Sequence, residues 1–172
     1  MKKKTHRFVP DRDEKYMALA FCISQIFSKD PHTQIGAVIV DVNNIPLGYG
    51  YNGPPRNIPD EQVDWSRPQK YLRILHSETN AILHSHGDLR GATLYVNACP
   101  CVRCMLEIVA CGIKKVVYFD LHTDGESSIN DETRKEVEAI ARLASVIFVK
   151  FSGNLNFIRD MIMRLNELGI FY

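Results

Sequence analysis

The stretch that decides the fold runs from an apolar segment into a cysteine-bearing one and reads, over residues 92–104, Ala92-Thr93-Leu94-Tyr95-Val96-Asn97-Ala98-Cys99-Pro100-Cys101-Val102-Arg103-Cys104. Its pattern predicts a strand over Ala92–Val96 and a helix over Val102–Ala110. Gly112 then occupies the position that commonly follows the end of a helix. Strand and helix signals alternate on both sides of this stretch, which indicates an α/β protein.

The flanking sequence extends the same pattern. Turn residues Asn43-Asn44 separate the first two predicted strands, so we expect a hairpin and a mixed sheet. The fold predicted is a three-layer α/β/α arrangement around a central mixed sheet of about five strands. The other predicted helices cover Asp13–Ser28, Ser77–Ser85, Asp131–Leu143 (with Asp131 as its cap) and Leu155–Leu168, and the other strands cover Ile35–Val42, Pro46–Tyr51, Val116–Phe119 and Ser145–Val149.

Length and composition bound the class of protein. With 172 residues, 45% of them hydrophobic, the chain fits a single domain over residues 1–172. Within it we expect a flexible basic N-terminus over 1–12 and a terminal helix over 153–172. The formal net charge of +1 lacks the basic excess typical of proteins that grip long nucleic acids.

Hydrophobic segments and cysteine content indicate the cellular compartment in which we expect the protein. The N-terminal stretch has no apolar core of the secretory type, and no segment approaches the roughly 18 apolar residues of a membrane span. The chain has five cysteines, an odd number, which favours free thiols and a reducing compartment. We therefore expect the cytoplasm, of a cell or of an infected host, and no membrane partner.

Two short motifs indicate a metal site. Cys101 and Cys104 are spaced to share one face of a helix, so both thiols can reach a single ion. His76 and Glu78 are two positions apart, which inside a helix would turn them about 200° from each other. The pair therefore makes sense at a helix start, with both side chains near the mouth of one pocket. Together the motifs fit the H-x-E…P-C-x-x-C signature of zinc deaminases.

The chemistry of these residues favours a catalytic ion. His76, Cys101 and Cys104 would leave one position of a tetrahedral zinc for water. Glu78 is then the proton shuttle rather than a ligand. A C-x-x-C pair alone is also typical of a redox site, and the separate His-x-Glu motif favours the metal.

Longer segments resemble the deoxycytidylate deaminases of the cytidine deaminase superfamily. The resemblance runs from about Tyr16 to Val149 and includes the family's S-K-D-P segment, its G-Y-N-G loop and its H-A-E-x-N-A-I helix start. The matching residues are Ser28-Lys29-Asp30-Pro31 with Gln34 to Ala37, Gly50-Tyr51-Asn52-Gly53 with Pro55, His76-Ser77-Glu78-Thr79-Asn80-Ala81-Ile82 and Gly112-Ile113-Lys114.

The resemblance implies one catalytic Zn²⁺ and hydrolysis of dCMP to dUMP and ammonia, for thymidylate synthesis. It also implies self-association into a homo-hexamer, activation by dCTP, inhibition by dTTP, and Mg²⁺ accompanying a triphosphate effector. By the same resemblance Asn52 contacts the sugar, and Gly50, Tyr51, Asn52 and Gly53 serve the effector region. A phosphate needs positive charge, and the basic side chains near these segments are Lys29, Arg56, Arg67 and Lys70, each otherwise a solvated surface charge. Of these four, Lys29 is assigned to the substrate.

Departures from the family pattern leave the exact substrate open. Ser77 stands where alanine is usual, and Asn97-Ala98-Cys99 replaces a stretch that lines the base pocket in relatives. With these changes, dCTP or a 5-substituted dCMP could also be the substrate. The same metal motifs would also serve a deaminase of bases in nucleic acid or a non-catalytic, nucleotide-sensing zinc module. The loop after Gly53, proline-rich to about Arg67, holds no Cys or His before His76, so we predict no second zinc.

Overall fold

A mixed sheet organises the chain in the computed structural model, which describes residues 9–120, 122–123, 126–127 and 129–167. The predicted helices and strands are confirmed, with ends that differ by a few residues. A short hairpin, β5 with β6, was not predicted. In chain order the elements are α1 (Arg12–Phe27), β1 (Gly36–Val40), β2 (Pro46–Tyr51), α2 (Ser77–Leu83), β3 (Thr93–Val96), α3 (Val102–Ala110), β4 (Lys115–Tyr118), β5 (His122–Thr123), β6 (Glu126–Ser127), α4 (Asp131–Leu143), β7 (Ile147–Lys150) and α5 (Asn156–Glu167).

The main sheet has five strands in the order β2-β1-β3-β4-β7. Strand β1 runs antiparallel to both of its neighbours. Strands β3, β4 and β7 run parallel to one another. The predicted hairpin and the mixed character of the sheet are therefore both confirmed.

Alternating side chains of the strands bury against helices on opposite faces, which confirms the three layers. One face packs on α1, and its strand residues are Val38, Val40, Tyr95 and Val117. The other face packs on α2, α3 and α4, and its strand residues are Ala37, Ile39, Leu94, Val96, Val116 and Tyr118. The period of two along each strand explains this division.

Two helix starts differ from the expectations. Asn130, in extended conformation, caps α4 by accepting a hydrogen bond from the Thr133 N–H, so the prediction of Asp131 as the cap is wrong. Asp11 caps α1 through a reciprocal bond with Glu14, so the end of the segment expected to be flexible is part of a helix start. Residues 1–8 of that segment lie outside the described residues.

The proline-rich loop between β2 and α2 contains two short 3₁₀ turns, Asp60–Gln62 and Gln69–Leu72. Paired backbone hydrogen bonds between Gly53 and Leu75 close its base at 2.8 and 3.1 Å. This closure brings His76 next to the end of β2. Within the described ranges, we find no helix of the length and apolar character that a membrane crossing requires.

Candidate active site

The site is built on the starts of α2 and α3. His76 is the N-cap residue of α2, with φ −72° and ψ 156°, and Cys101 is the N-cap residue of α3, with φ −77° and ψ 168°. Neither side chain makes a capping hydrogen bond. Both side chains are therefore free to turn toward each other. The N-cap positions confirm the prediction that the two motifs lie at helix starts.

The metal cluster, defined as His76, Cys101 and Cys104, brings its ligand atoms within 4.8 Å of one another. His76 Nδ1 lies 3.4 Å from Cys104 Sγ and 3.6 Å from Cys101 Sγ. Around tetrahedral zinc, bond lengths of about 2.05 Å to nitrogen and 2.3 Å to sulfur place N and S roughly 3.5 Å apart. The cluster thus fits a zinc ion. Cys104 is buried while His76 is exposed, so one side of the cluster is open.

The three groups share protons in the metal-free state. A hydrogen bond to Cys101 raises the pKa of His76 to about 8. The hydrogen bond from Cys104, with help from His76, lowers the pKa of Cys101 to about 4. Donation of that bond and burial raise the pKa of the Cys104 thiol. These pKa shifts favour a thiolate at Cys101 and a protonated ring at His76, and a cation can take the place of that proton.

Glu78 lies in the first turn of α2 and is 4% exposed. Its carboxylate is outside the group of ligand atoms that meet in the metal cluster. Burial raises its pKa, and the neighbouring His76 counters part of that rise. The Ser77 hydroxyl, absent from the family pattern, donates to Glu78 Oε2 at 2.9 Å. A buried carboxyl with a raised pKa suits proton transfer near neutral pH.

Two side chains behind the cluster were missed by the sequence analysis. Thr79 Oγ1 donates to Glu107 Oε2 at 2.5 Å and lies 3.9 Å from Cys104 Sγ. Thr79 is one helical turn after His76, and Glu107 is one turn after Cys104. That spacing places each on the face of its helix that carries a ligand, a signal that was available in the sequence.

Asn52 is 5% exposed, and its side-chain amide is fully used within the protein. Its Oδ1 accepts from Ser28 Oγ and the Ile35 N–H, both at 2.8 Å. Its Nδ2 donates to the Thr33 carbonyl at 2.8 Å and to Asp30 Oδ2 at 3.2 Å. Asn52 is thus tied to the segment 28–35 rather than to the metal cluster.

Asp30 and Lys70 form an ion pair that the sequence analysis did not anticipate. Lys70 Nζ lies 2.5 Å from Asp30 Oδ2, and the two side chains are 2% and 0% exposed. Asp30 Oδ1 also accepts from the backbone N–H groups of His32 and Thr33. Lys70 is therefore not a surface charge. We call the five residues Ser28, Asp30, Thr33, Asn52 and Lys70 the Asp30 network.

Two other basic side chains cross-link the same regions. The Lys29 ammonium, whose side chain is 68% exposed, forms an ion pair with Asp60 of the loop. Arg67 Nη2 donates to Thr33 Oγ1 at 2.9 Å. The loop between β2 and α2 is thereby fastened to the segment 28–34 at several points.

The predicted effector residues have different surroundings. Tyr51 lines a cavity of about 870 Å³, whose wall also includes Tyr49, Phe27 and Arg56. Gly50 instead packs against α2, where a Cβ would lie 2.2 Å from the Ala81 backbone nitrogen. The backbone N–H and carbonyl groups of Gly53 are hydrogen-bonded to the backbone of Leu75.

Asn97 and Cys99, two residues of the stretch that departs from the family pattern, are buried within the protein. Asn97 Oδ1 accepts from the Gly36 N–H at 2.9 Å, and its Nδ2 donates to Ser24 Oγ at 3.2 Å. Cys99 belongs to the core that faces α3 and α4, and burial raises its pKa to about 12. Both departures are accommodated by contacts with α1 and the core.

The chain is similar to known proteins in both sequence and fold. The family described as "Cytidine and deoxycytidylate deaminase zinc-binding region" matches residues 10–120. The chain is 36% identical to the deoxycytidylate deaminase of Mus musculus over 81% of this chain and 79% of that protein. For the Homo sapiens enzyme the identity is 35% over 80% and 78%. A crystal structure of dCMP deaminase from the cyanophage S-TIM5 in complex with dCMP and dUMP is similar with a TM-score of 0.64, at 26% identity over 84% of this chain and 100% of that chain.

Proposed function

Because the chain belongs to the cytidine and deoxycytidylate deaminase family, we propose that it hydrolyses dCMP to dUMP and ammonia. The observation that carries this proposal is the buried Glu78 carboxyl beside the metal cluster but outside its ligand group. A structural zinc has no use for such a group, whereas a hydrolytic deaminase needs one for its proton transfers.

His76, Cys101 and Cys104 would hold the zinc. When bound, the ion supplies a water molecule whose pKa is lowered toward about 7. Glu78 takes the proton of the water that attacks the amine-bearing carbon of cytosine and passes it to the ring nitrogen. Glu78 then takes the second proton of that water, from the new C–OH group, and delivers it to the leaving amino group. The C–N bond breaks, ammonia departs and uracil remains, so one water is consumed for each ammonia released.

For the substrate contacts we propose Asn52 and Lys29. Asn52 would contact the sugar by exchanging one of its present hydrogen bonds, the longest of which is 3.2 Å, to Asp30. Lys29 would bind phosphate by releasing Asp60, and its 68% exposure leaves it accessible to an anion. Both residues lie where the segment 28–35 meets the loop between β2 and α2.

Regulation forms a further part of the proposal. We propose that dCTP activates and dTTP inhibits, that Mg²⁺ accompanies the triphosphate, and that Gly50, Tyr51, Asn52 and Gly53 shape the effector region of a cytoplasmic homo-hexamer serving thymidylate synthesis. Support comes from Tyr51, which lines the large cavity and stacks on Phe27 with ring centroids 5.6 Å apart. Aromatic faces of this kind can stack on a nucleobase.

The test is ammonia release from dCMP, dCTP, deoxycytidine and 5-methyl-dCMP, each with and without dCTP or dTTP. We expect dCMP to have the highest kcat/KM. Glu78→Gln should keep zinc and fold while kcat falls at least about 100-fold, since it removes the general acid and base.

Other results assign other functions. A higher kcat/KM for dCTP or 5-methyl-dCMP than for dCMP would make that cytosine nucleotide the substrate. Full turnover by Glu78→Gln would refute the proton-shuttle role. Loss of zinc from that variant would instead make Glu78 a ligand.

A further inference from the structure

We infer that Thr79 and Glu107 position the metal ligand Cys104 and slow the loss of zinc from the cluster. The Thr79 hydroxyl stands between the two groups, 2.5 Å from Glu107 Oε2 and 3.9 Å from Cys104 Sγ. The inference rests on the zinc site of the proposed function and is independent of the substrate.

The first argument is the weakness of the helix starts themselves. His76 and Cys101 occupy the N-cap positions of α2 and α3 without making the side-chain bonds that normally fix such starts. Helix α2 is also short, with seven residues. The relative position of the two starts therefore needs support from contacts between the helices.

The Thr79–Glu107 bond provides such a contact. Thr79 is half-buried, and the Glu107 side chain is 29% exposed, so the bond is partly shielded from water. Arg103 Nε lies 3.4 Å from the other carboxylate oxygen, Glu107 Oε1. Glu107 is thus held from two sides, and it holds Thr79 against the sulfur of Cys104.

The second argument is chemical. Groups that contact metal ligands from outside fix the ligands' orientation, and their loss typically costs about 10–100-fold in metal affinity. A single hydroxyl separates the Glu107 carboxylate from the Cys104 sulfur, so this negative charge also lies close enough to favour a bound cation. Thr79 and Glu107 do not touch the reacting atoms, so they are positioning residues.

The experiment follows zinc transfer from the holoenzyme to a chromophoric chelator. Thr79→Val removes the hydroxyl and keeps the shape, and we expect zinc release to be about tenfold faster or more. Glu107→Gln should also accelerate release. Thr79→Ser, the matched control, should release zinc at the wild-type rate because it keeps the hydroxyl. The double variant Thr79→Val/Glu107→Gln should release zinc faster than either single variant, because glutamine removes the charge and keeps the oxygen that accepts from Thr79, whereas valine removes the hydrogen bond.

If Thr79→Val releases zinc at the wild-type rate, the inference is overturned and Thr79 is only a contact between the two helices. If that variant does not fold, wild-type release by Glu107→Leu, which removes both the accepting oxygen and the charge, would overturn it. Fast release by Thr79→Ser would show that packing, not the hydroxyl, matters, and would also overturn it. If the wild type has no turnover on dCMP yet zinc release depends on Thr79, the proposed function fails and this inference stands.

Discussion

The metal cluster and the Asp30 network are both groups of polar side chains gathered from distant parts of the chain, yet they are built in opposite ways. In the cluster, His76 is exposed, and the N-cap side chains leave the backbone of their helices uncapped. In the network, the side-chain amide of Asn52 has all of its hydrogen bonds within the protein, and Lys70 and Asp30 are buried together.

The difference separates two uses of polar residues. Groups that hydrogen-bond to one another beside solvent can exchange their protons for a cation, whereas buried groups bonded to several parts of the chain stabilise one conformation of the backbone. The segment 28–37 and the loop 50–53 both resemble family motifs, and the sequence predicts ligand contacts for Lys29 of the first and for residues 50–53 of the second. In the structure, Asn52 of the second binds Ser28, Asp30 and Thr33 of the first.

The largest expected loss of stability comes from a substitution that disrupts the Asp30 network. Lys70→Met would leave the Asp30 carboxylate buried without its ion-pair partner, which typically costs about 3–5 kcal/mol in the free energy of unfolding. Urea denaturation would measure the loss. Asp30→Asn added to Lys70→Met should recover part of it, because the amide oxygen still accepts from the His32 and Thr33 N–H groups.

Lys29→Met is the matched control for that prediction. It removes an ion pair with Asp60 that is open to solvent, so its effect on unfolding should be far smaller. Zinc content should be unchanged in all these variants. A loss of zinc on Lys70→Met would show that the two regions are not separate.

A smaller effect is expected from the glycines of the 50–53 segment. Gly50→Ala would place a Cβ 2.2 Å from the Ala81 nitrogen and 2.3 Å from the Ser77 carbonyl oxygen. Overpacking of this kind costs about 1–3 kcal/mol, and displacement of α2 should also lower kcat because it carries Glu78.

Gly53→Ala is the control within the same segment, since its Cβ would meet its nearest neighbour, the Tyr51 ring, at 3.4 Å. Thermal unfolding and dCMP turnover would separate the two variants. Equal tolerance of both substitutions would contradict the packing role given to Gly50.

The smallest expected effect concerns the pH response of the metal cluster. The pKa of His76 in the metal-free protein is raised to about 8 by its bond to Cys101. Zinc binds the neutral ring, so below about pH 8 it must displace a proton, and its affinity should fall about tenfold per pH unit from this group alone. Above that pH the contribution of His76 should vanish.

Competition with a chelator between about pH 6.5 and 8.5 measures this slope. Proton release on zinc binding, followed with an indicator dye, is the independent readout. Because the Cys104 thiol also loses its proton to zinc throughout this range, it adds the same slope at every pH. A slope that does not change near pH 8 would therefore mean that His76 is already neutral in the metal-free cluster.

Much of the architecture could be predicted because its signals are local. The α2 and α3 starts, the β1–β2 turn and the short apolar run of β3 each depend on residues within a few positions of one another. The cap of α4 was misassigned because Asn130 and Asp131 are both good capping residues, and the backbone conformation decides between them.

The metal cluster was determined by the sequence itself. Its two halves are far apart in the chain, but each has a spacing that makes chemical sense at a helix start, and one metal ion requires their meeting. The role of the Asp30 network was decided by the tertiary structure alone. Asn52 and Lys70 lie 22 and 40 residues from Asp30. Separations of this length follow no helical or strand period, so the sequence does not indicate that these residues are partners. How such a residue is held depends on how the loop between β2 and α2 folds back, and the buried Asp30–Lys70 ion pair joins that loop to the segment 28–35.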